Sequence, residues 1–237
     1  MQFLFRYANP HNFMRLSGAV LPFTAIGAAL ALIAGLYLSF SVPPDYQQGR
    51  TVTIFFIHVP AATMAMGTYI AIALCSLLSL VWRHPLADLA AVEIGPVGAA
   101  FTALCLATGS LWGKPMWGTY WVWDARLTSF LLLLFIYFGY MALWSAIEDE
   151  AKAARAAAIL ALVGAVNIPI IKYSVDWWNT LHQGSTVTAF KMAAVYYPPF
   201  FTMLLAYSLL FATLWMIRIR TAIVERRARN LMQGAAA

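Results

Sequence analysis

The chain has 237 residues, of which 62% are hydrophobic and only 10% charged, with a net charge of +6 and a mean hydropathy of +0.75. Those proportions exclude an ordinary soluble domain, in which apolar residues make up about 45–50% and charged residues about 25%, and they point to lipid as the solvent. The positive charge does not point to nucleic acid, because the Lys and Arg residues are scattered over short loops and the tail, with no basic patch interleaved with aromatics.

A helix needs about 20 mainly apolar residues to cross the hydrocarbon core. Arg6 and Arg15 precede the first such run, 17–40, in the manner of a signal peptide, but the run is too long for an h-region and is read as a retained span. Pro43 and Pro44 close it. The second run, 54–81, ends at Arg83-His84-Pro85, and the third, 89–111, ends before Gly113 and Pro115. The fourth, 127–147, is closed by Glu148-Asp149-Glu150; the fifth, 153–171, and sixth, 193–217, complete the set. The fold class is therefore all-α: a polytopic membrane protein, one membrane domain over 1–237, built as a bundle of six transmembrane helices whose short loops make neighbours antiparallel.

Orientation follows from the basic residues, which are retained on the cytoplasmic side of span ends. Arg6, Arg15, Arg83, Lys152, Arg155, Arg218, Arg220, Arg226, Arg227 and Arg229 fall on one side, against Arg50, Lys114, Arg126, Lys172 and Lys191 on the other. Both termini are expected in the cytoplasm, with loops near 41–53, 112–126 and 172–192 outside. The acidic residues all lie in loops, in the tail or near span ends, Glu93 being the deepest, so ion-coupled transport is disfavoured. No G-x-x-x-x-G-K-[ST] loop is present, and nucleotide chemistry must come from another chain.

Chemistry concentrates on the outer face. His11 and His84 sit with the cytoplasmic loops, whereas His58, just inside the second span, and His182, in the last outer loop, share one side. Between them runs Trp112-Gly113-Lys114-Pro115-Met116-Trp117-Gly118-Thr119-Tyr120-Trp121-Val122-Trp123-Asp124, and Trp177-Trp178 follows in the last loop. An aromatic belt is the plain explanation, but a belt populates both interfaces, and only Trp82, Trp144 and Trp215 fall on the cytoplasmic side. The asymmetry asks for a flat apolar partner. A haem fits: two neutral imidazoles bind its iron axially, indoles cover its faces, and outer basic residues pair with its propionates.

Each of these residues also has a structural reading. A lone interfacial histidine is a polar anchor more often than a ligand; here the pair carries the argument. Asp124 serves equally as the N-cap of the fourth helix, directly before Ala125-Arg126-Leu127, and as a functional group. Arg126 fits a solvated interfacial charge, and Pro60 a bend or helix start. Cys75 and Cys105 belong to no C-x-x-C or zinc spacing and are read, like the methionines, as core.

The segments Trp117-Gly118-Thr119-Tyr120-Trp121-Val122-Trp123-Asp124-Ala125-Arg126-Leu127-Thr128, His58-Val59-Pro60-Ala61-Ala62 and Asp176-Trp177-Trp178-Asn179-Thr180-Leu181-His182-Gln183-Gly184 resemble a known family. It is the C component of bacterial cytochrome c maturation, also called haem exporter protein C, within the wider haem-handling proteins that carry a tryptophan-rich motif. The resemblance covers essentially the whole chain. Thr63, where the family is expected to place an aromatic, and Tyr120, where Trp is common, depart from the pattern. The resemblance implies that His58 and His182 ligate haem iron, with Trp112, Trp117, Tyr120, Trp121, Trp123, Asp124, Arg126, Trp177 and Trp178 forming the binding surface. It further implies haem b as cargo, held at the periplasmic side of a bacterial inner membrane and passed to a membrane-anchored haem chaperone. ATP-binding cassette subunits and a small single-span subunit are the implied partners. The absence of a transit-like leader also favours a bacterium.

Three competing readings are weaker. A haem lyase of the same superfamily, forming thioether bonds, would be longer. A cytochrome b-type electron carrier needs a second histidine pair at another depth. A haem channel needs a polar path through the spans.

Overall fold

A computed structural model describes residues 9–84, 86–182 and 192–236; Arg6, Pro85, Gln183, Gly184 and Lys191 lie outside the described residues. Every named element within them is helical. The helices are α1 (Pro10–Ser41), α2 (Val52–Trp82), α3 (Ala87–Trp117), α4 (Ala125–Ala146), α5 (Glu150–Gly164), α6 (Asn167–Trp177) and α7 (Tyr197–Ala236), with a 3₁₀ turn at Ala194–Tyr196. Taking α5 and α6 together, six segments are long and apolar enough to cross a membrane. The chain is a multi-pass, all-α membrane protein.

Three differences from the sequence reading matter. Pro115 and Gly113 do not end the third helix, which continues to Trp117. A proline removes one amide donor but tolerates the last turn, and the helix stops instead at Gly118, whose left-handed φ of 78° no Cβ obstructs. The fifth span is broken after Gly164: Tyr69 Oη packs against that glycine, and Pro169 sits in the first turn of α6, where its missing N–H leaves no bond unmade. Finally α7 runs on through the basic tail. Pro60 starts nothing, since α2 begins eight residues earlier at Val52.

Caps explain the other boundaries. Asn9 Oδ1 accepts from His11 N at 2.9 Å with Pro10 behind it, and Asp149 Oδ1 accepts from Ala151 N and Lys152 N at 2.9 and 3.1 Å. α2 packs most extensively on α3, and α1 on α7. In lipid no water relieves a polar group, so side chains pair internally. Tyr137 Oη donates to the Ala65 carbonyl at 2.8 Å and lies 2.7 Å from Thr68 Oγ1, its ring fitted against Gly98.

The two ends differ in chemistry. At one, Arg220 Nη1 donates to Met14 O (2.6 Å), Arg218 pairs with Glu93 (2.9 Å), and Arg226 pairs with Glu150 (3.3 Å). Leu86, Leu89, Ile219 and Ile223 pack there with Phe13. The first and last described segments thus lie at the same end. At the other, Trp112 Nε1 donates to Gln48 Oε1 (3.1 Å) and Tyr196 Oη to Asp45 Oδ2 (3.5 Å).

Tyr137→Phe should remove the α4–α2 hydrogen bond without changing shape and lower stability by about 0.6 kcal/mol, the mean for such bonds between membrane helices. Unfolding in mixed detergent micelles measures it; unchanged stability would remove this bond as a packing determinant.

Candidate functional site

At the end carrying Gln48 and Trp112, a cavity of about 270 Å³ opens between α2, α3, α4 and α6. α2 lines it with Phe55, His58, Val59, Ala62 and Met66, a spacing that lays one helical face along the slot. Met66 is eight residues beyond His58, so the slot reaches about 12 Å deeper into the bundle. α3 supplies Cys105, Gly109, Trp112, Gly113, Met116 and Trp117 at the same periodicity; α4 adds Arg126 and Phe130, α6 adds Ile171 and Lys172, and the outer loops add Trp121 and His182.

Both outer histidines therefore face one cavity, and each is held by its Nδ1. His58 Nδ1 lies 3.0 Å from the Cys105 carbonyl and 3.2 Å from Thr108 Oγ1. A carbonyl only accepts, so Nδ1 carries a proton, and in the neutral ring Nε2 keeps its lone pair. Trp112 stands edge-on to this ring at 5.7 Å, fixed by Gln48 and by Phe55 at 6.1 Å. His182 Nδ1 donates to Asp124 Oδ2 at 3.1 Å, with Trp117 at 4.9 Å. Burial pushes the His182 pKa down, against the pull of the Asp124 carboxylate and with the help of Arg126. The ring is neutral at pH 7, donating from Nδ1 and leaving Nε2 unprotonated.

Asp124 has both roles weighed for it. Its Oδ1 accepts from Leu127 N at 2.7 Å and caps α4, while Oδ2 holds His182, and the residue is buried. Arg126 is no simple solvated charge: Nε donates to Ser174 Oγ (3.1 Å) and Nη2 to the carbonyls of Lys172 (3.2 Å) and Ile171 (3.4 Å), tying α4 to α6 at the cavity edge. Lys172 also lines the cavity. Lys114 is engaged locally, donating to Gly118 O at 3.0 Å and lying over Tyr120, and Arg50 reaches the Val42 carbonyl at 3.4 Å.

The aromatic cluster divides. Trp112, Trp117 and Trp121 line the cavity, and Trp121 Nε1 is buried without an acceptor among the described residues. Tyr120, Trp123, Trp177 and Trp178 do not line it. They form an exposed rim, Trp123 being 75% exposed and set edge-on to Trp121, and Trp177 stacked on Tyr173. Sequence reasoning singled out Thr63 only as a departure from the family pattern and missed Phe55, Met66, Met116, Phe130 and the Cys105 carbonyl as lining or orienting groups. Phe55 and Met66 were within reach, since they fall on the helical face that contains His58.

Comparison with known proteins places this chain among relatives. A family model described as Heme exporter protein C matches residues 3–233. Proteins named Heme exporter protein C from Bradyrhizobium diazoefficiens, Paracoccus denitrificans and Escherichia coli K12 are 54%, 47% and 47% identical to the chain. The alignments cover 94%, 97% and 96% of this chain and 86%, 97% and 93% of the respective relatives.

Asp124→Ala should cost about 1 kcal/mol through the lost cap alone, and Asp124→Asn, which keeps an acceptor for Leu127 N, should cost a few tenths. Thermal unfolding in detergent reads the difference; equal losses would show that the cap contributes nothing.

Proposed function

We propose that this chain, which belongs to the haem exporter protein C family, holds haem b as cargo between Nε2 of His58 and Nε2 of His182 and passes it to a membrane-anchored haem chaperone. One observation carries this reading: two neutral imidazoles share a cavity, and each Nδ1–H is engaged by a protein acceptor, as in metal-bound histidines, whose other nitrogen is fixed by a carbonyl or carboxylate. Among the described residues no group of three His, Cys, Asp or Glu side chains converges to hold a bare metal ion. Two axial imidazoles suit an iron whose other four ligands come with a macrocycle.

The remaining groups suit the same cargo. Trp112, Trp117 and Trp121 offer indole surface to a flat ring, and the unsatisfied Trp121 Nε1–H offers a donor. Arg126 and Lys172, the basic residues lining the cavity, would meet the propionates. A cavity of about 270 Å³ takes part of a porphyrin and leaves the rest at the surface, where a second protein can reach it. The exposed rim of Tyr120, Trp123, Trp177 and Trp178 lies where a receiving partner would dock. In this reading the chain binds and presents haem rather than making or breaking bonds itself. The end rich in Arg218, Arg220, Arg226, Arg227 and Arg229 is assigned to the cytoplasm, which puts the haem site on the periplasmic side of the inner membrane. ATP-binding cassette subunits and a small single-span subunit complete the proposed assembly.

The purified full-length protein should carry six-coordinate, low-spin haem, and His58→Ala or His182→Ala should each shift it to a five-coordinate spectrum. Unchanged absorption and resonance Raman spectra in both variants would remove these residues as ligands. Asp124→Asn should lower haem affinity about 10–100-fold, the usual effect of losing a ligand's orienting partner; titration with haem measures it.

A further inference from the structure

We infer that Gly109 is a positioning residue for the His58 ligand: the space its missing side chain leaves on α3 is the space the imidazole occupies. This rests on the haem-ligand reading of His58 and adds a residue that the sequence did not single out.

A Cβ built at Gly109 would lie 2.8 Å from His58 Cε1, 3.3 Å from Nδ1 and 3.8 Å from Nε2, so its three nearest neighbours are all atoms of the same ring. The ring cannot retreat cheaply. On one side its Nδ1 is bonded to the Cys105 carbonyl at 3.0 Å and to Thr108 Oγ1 at 3.2 Å, one turn and one residue before Gly109. On the other, Trp112 stands 5.7 Å away, about one turn after it, held by Gln48. Cys105, Gly109 and Trp112 therefore form a cradle along one face of α3: an acceptor, a gap and an aromatic wall. A methyl in the gap must push the imidazole off the carbonyl, and Nε2 then leaves the direction in which it was held.

Helix propensity argues the same way. Glycine in a helix interior weakens it relative to alanine, so Gly109→Ala strengthens α3 locally, and any loss of function arises from the contact. Gly67 on α2 is the matched control, because a Cβ there meets nothing within 4 Å.

The test uses full-length protein purified from membranes with its haem. Gly109→Ala should reduce haem occupancy at least about ten-fold and convert what remains to a five-coordinate species. Added imidazole should restore the six-coordinate, low-spin spectrum in Gly109→Ala as in His58→Ala. Gly67→Ala should match the parent. On a His58→Ala background the Gly109→Ala change should have no further effect, since the struck ring is gone; this double variant also decides the matter if Gly109→Ala alone fails to accumulate, because removing the ring must then restore accumulation. Parent-like haem in Gly109→Ala, or a double variant worse than His58→Ala, overturns the assignment. An unchanged spectrum in His58→Ala would instead sink the ligand reading itself, so the two failures are distinguishable.

Discussion

A neutral imidazole has one proton for two nitrogens, and whichever group accepts from Nδ1 decides whether Nε2 is available to a metal. In this protein that decision is made twice by different means. His58, in a membrane helix, donates to a backbone carbonyl of the neighbouring helix; His182, in an outer loop, donates to a buried carboxylate that also caps α4. One acceptor is fixed by the α3 backbone and the other by the cap that its carboxylate makes to Leu127 N, so the tautomers are set before any ligand arrives. Preorganisation of this kind lowers the ordering cost of binding and makes the site depend on how α2, α3 and α4 pack.

α3 is the spine of the site. Along one face it presents the Cys105 carbonyl, Gly109, Trp112, Gly113 and Trp117, and it keeps this face helical past two residues that usually interrupt helices. Where small residues lie on that face, other groups come close: the His58 ring of α2 against Gly109, and, from the same helix and the loop after it, the Trp117 ring and the Thr119 carbonyl against Gly113. Membrane helices use small residues for close approach, and here the approach lines the cavity as well as packing helices. Arg126 then ties the start of α4 to α6 through Ser174 and the Lys172 carbonyl, closing the slot's far side.

The opposite end of the bundle does different work. Two ion pairs sit there, Arg218 with Glu93 and Arg226 with Glu150, and its apolar cluster joins the first described turns of α1 to α7. Exposed apolar residues such as Phe23, Ile26, Leu30 and Ile33 on α1 face outward, as a lipid-facing helix requires. The chain thus separates a basic, packed end from an aromatic end that carries the cavity.

Much of this was legible in the residues alone. Six apolar runs, the sidedness of the basic residues, and the grouping of His58, His182 and the tryptophans on one face depend on local composition and on spacing, which a linear sequence displays directly. The break between α5 and α6, the helical course of Trp112 to Trp117, and the division of the aromatics into Trp112, Trp117 and Trp121 in the cavity and Trp123, Trp177 and Trp178 on the rim did not show there. Hydropathy records how a segment meets lipid, and that alone picked out the segments long and apolar enough to cross. Which atom each histidine touches was decided only by packing, because the acceptors lie 47 and 58 residues away in the chain and meet the rings through helix contacts that no local pattern encodes.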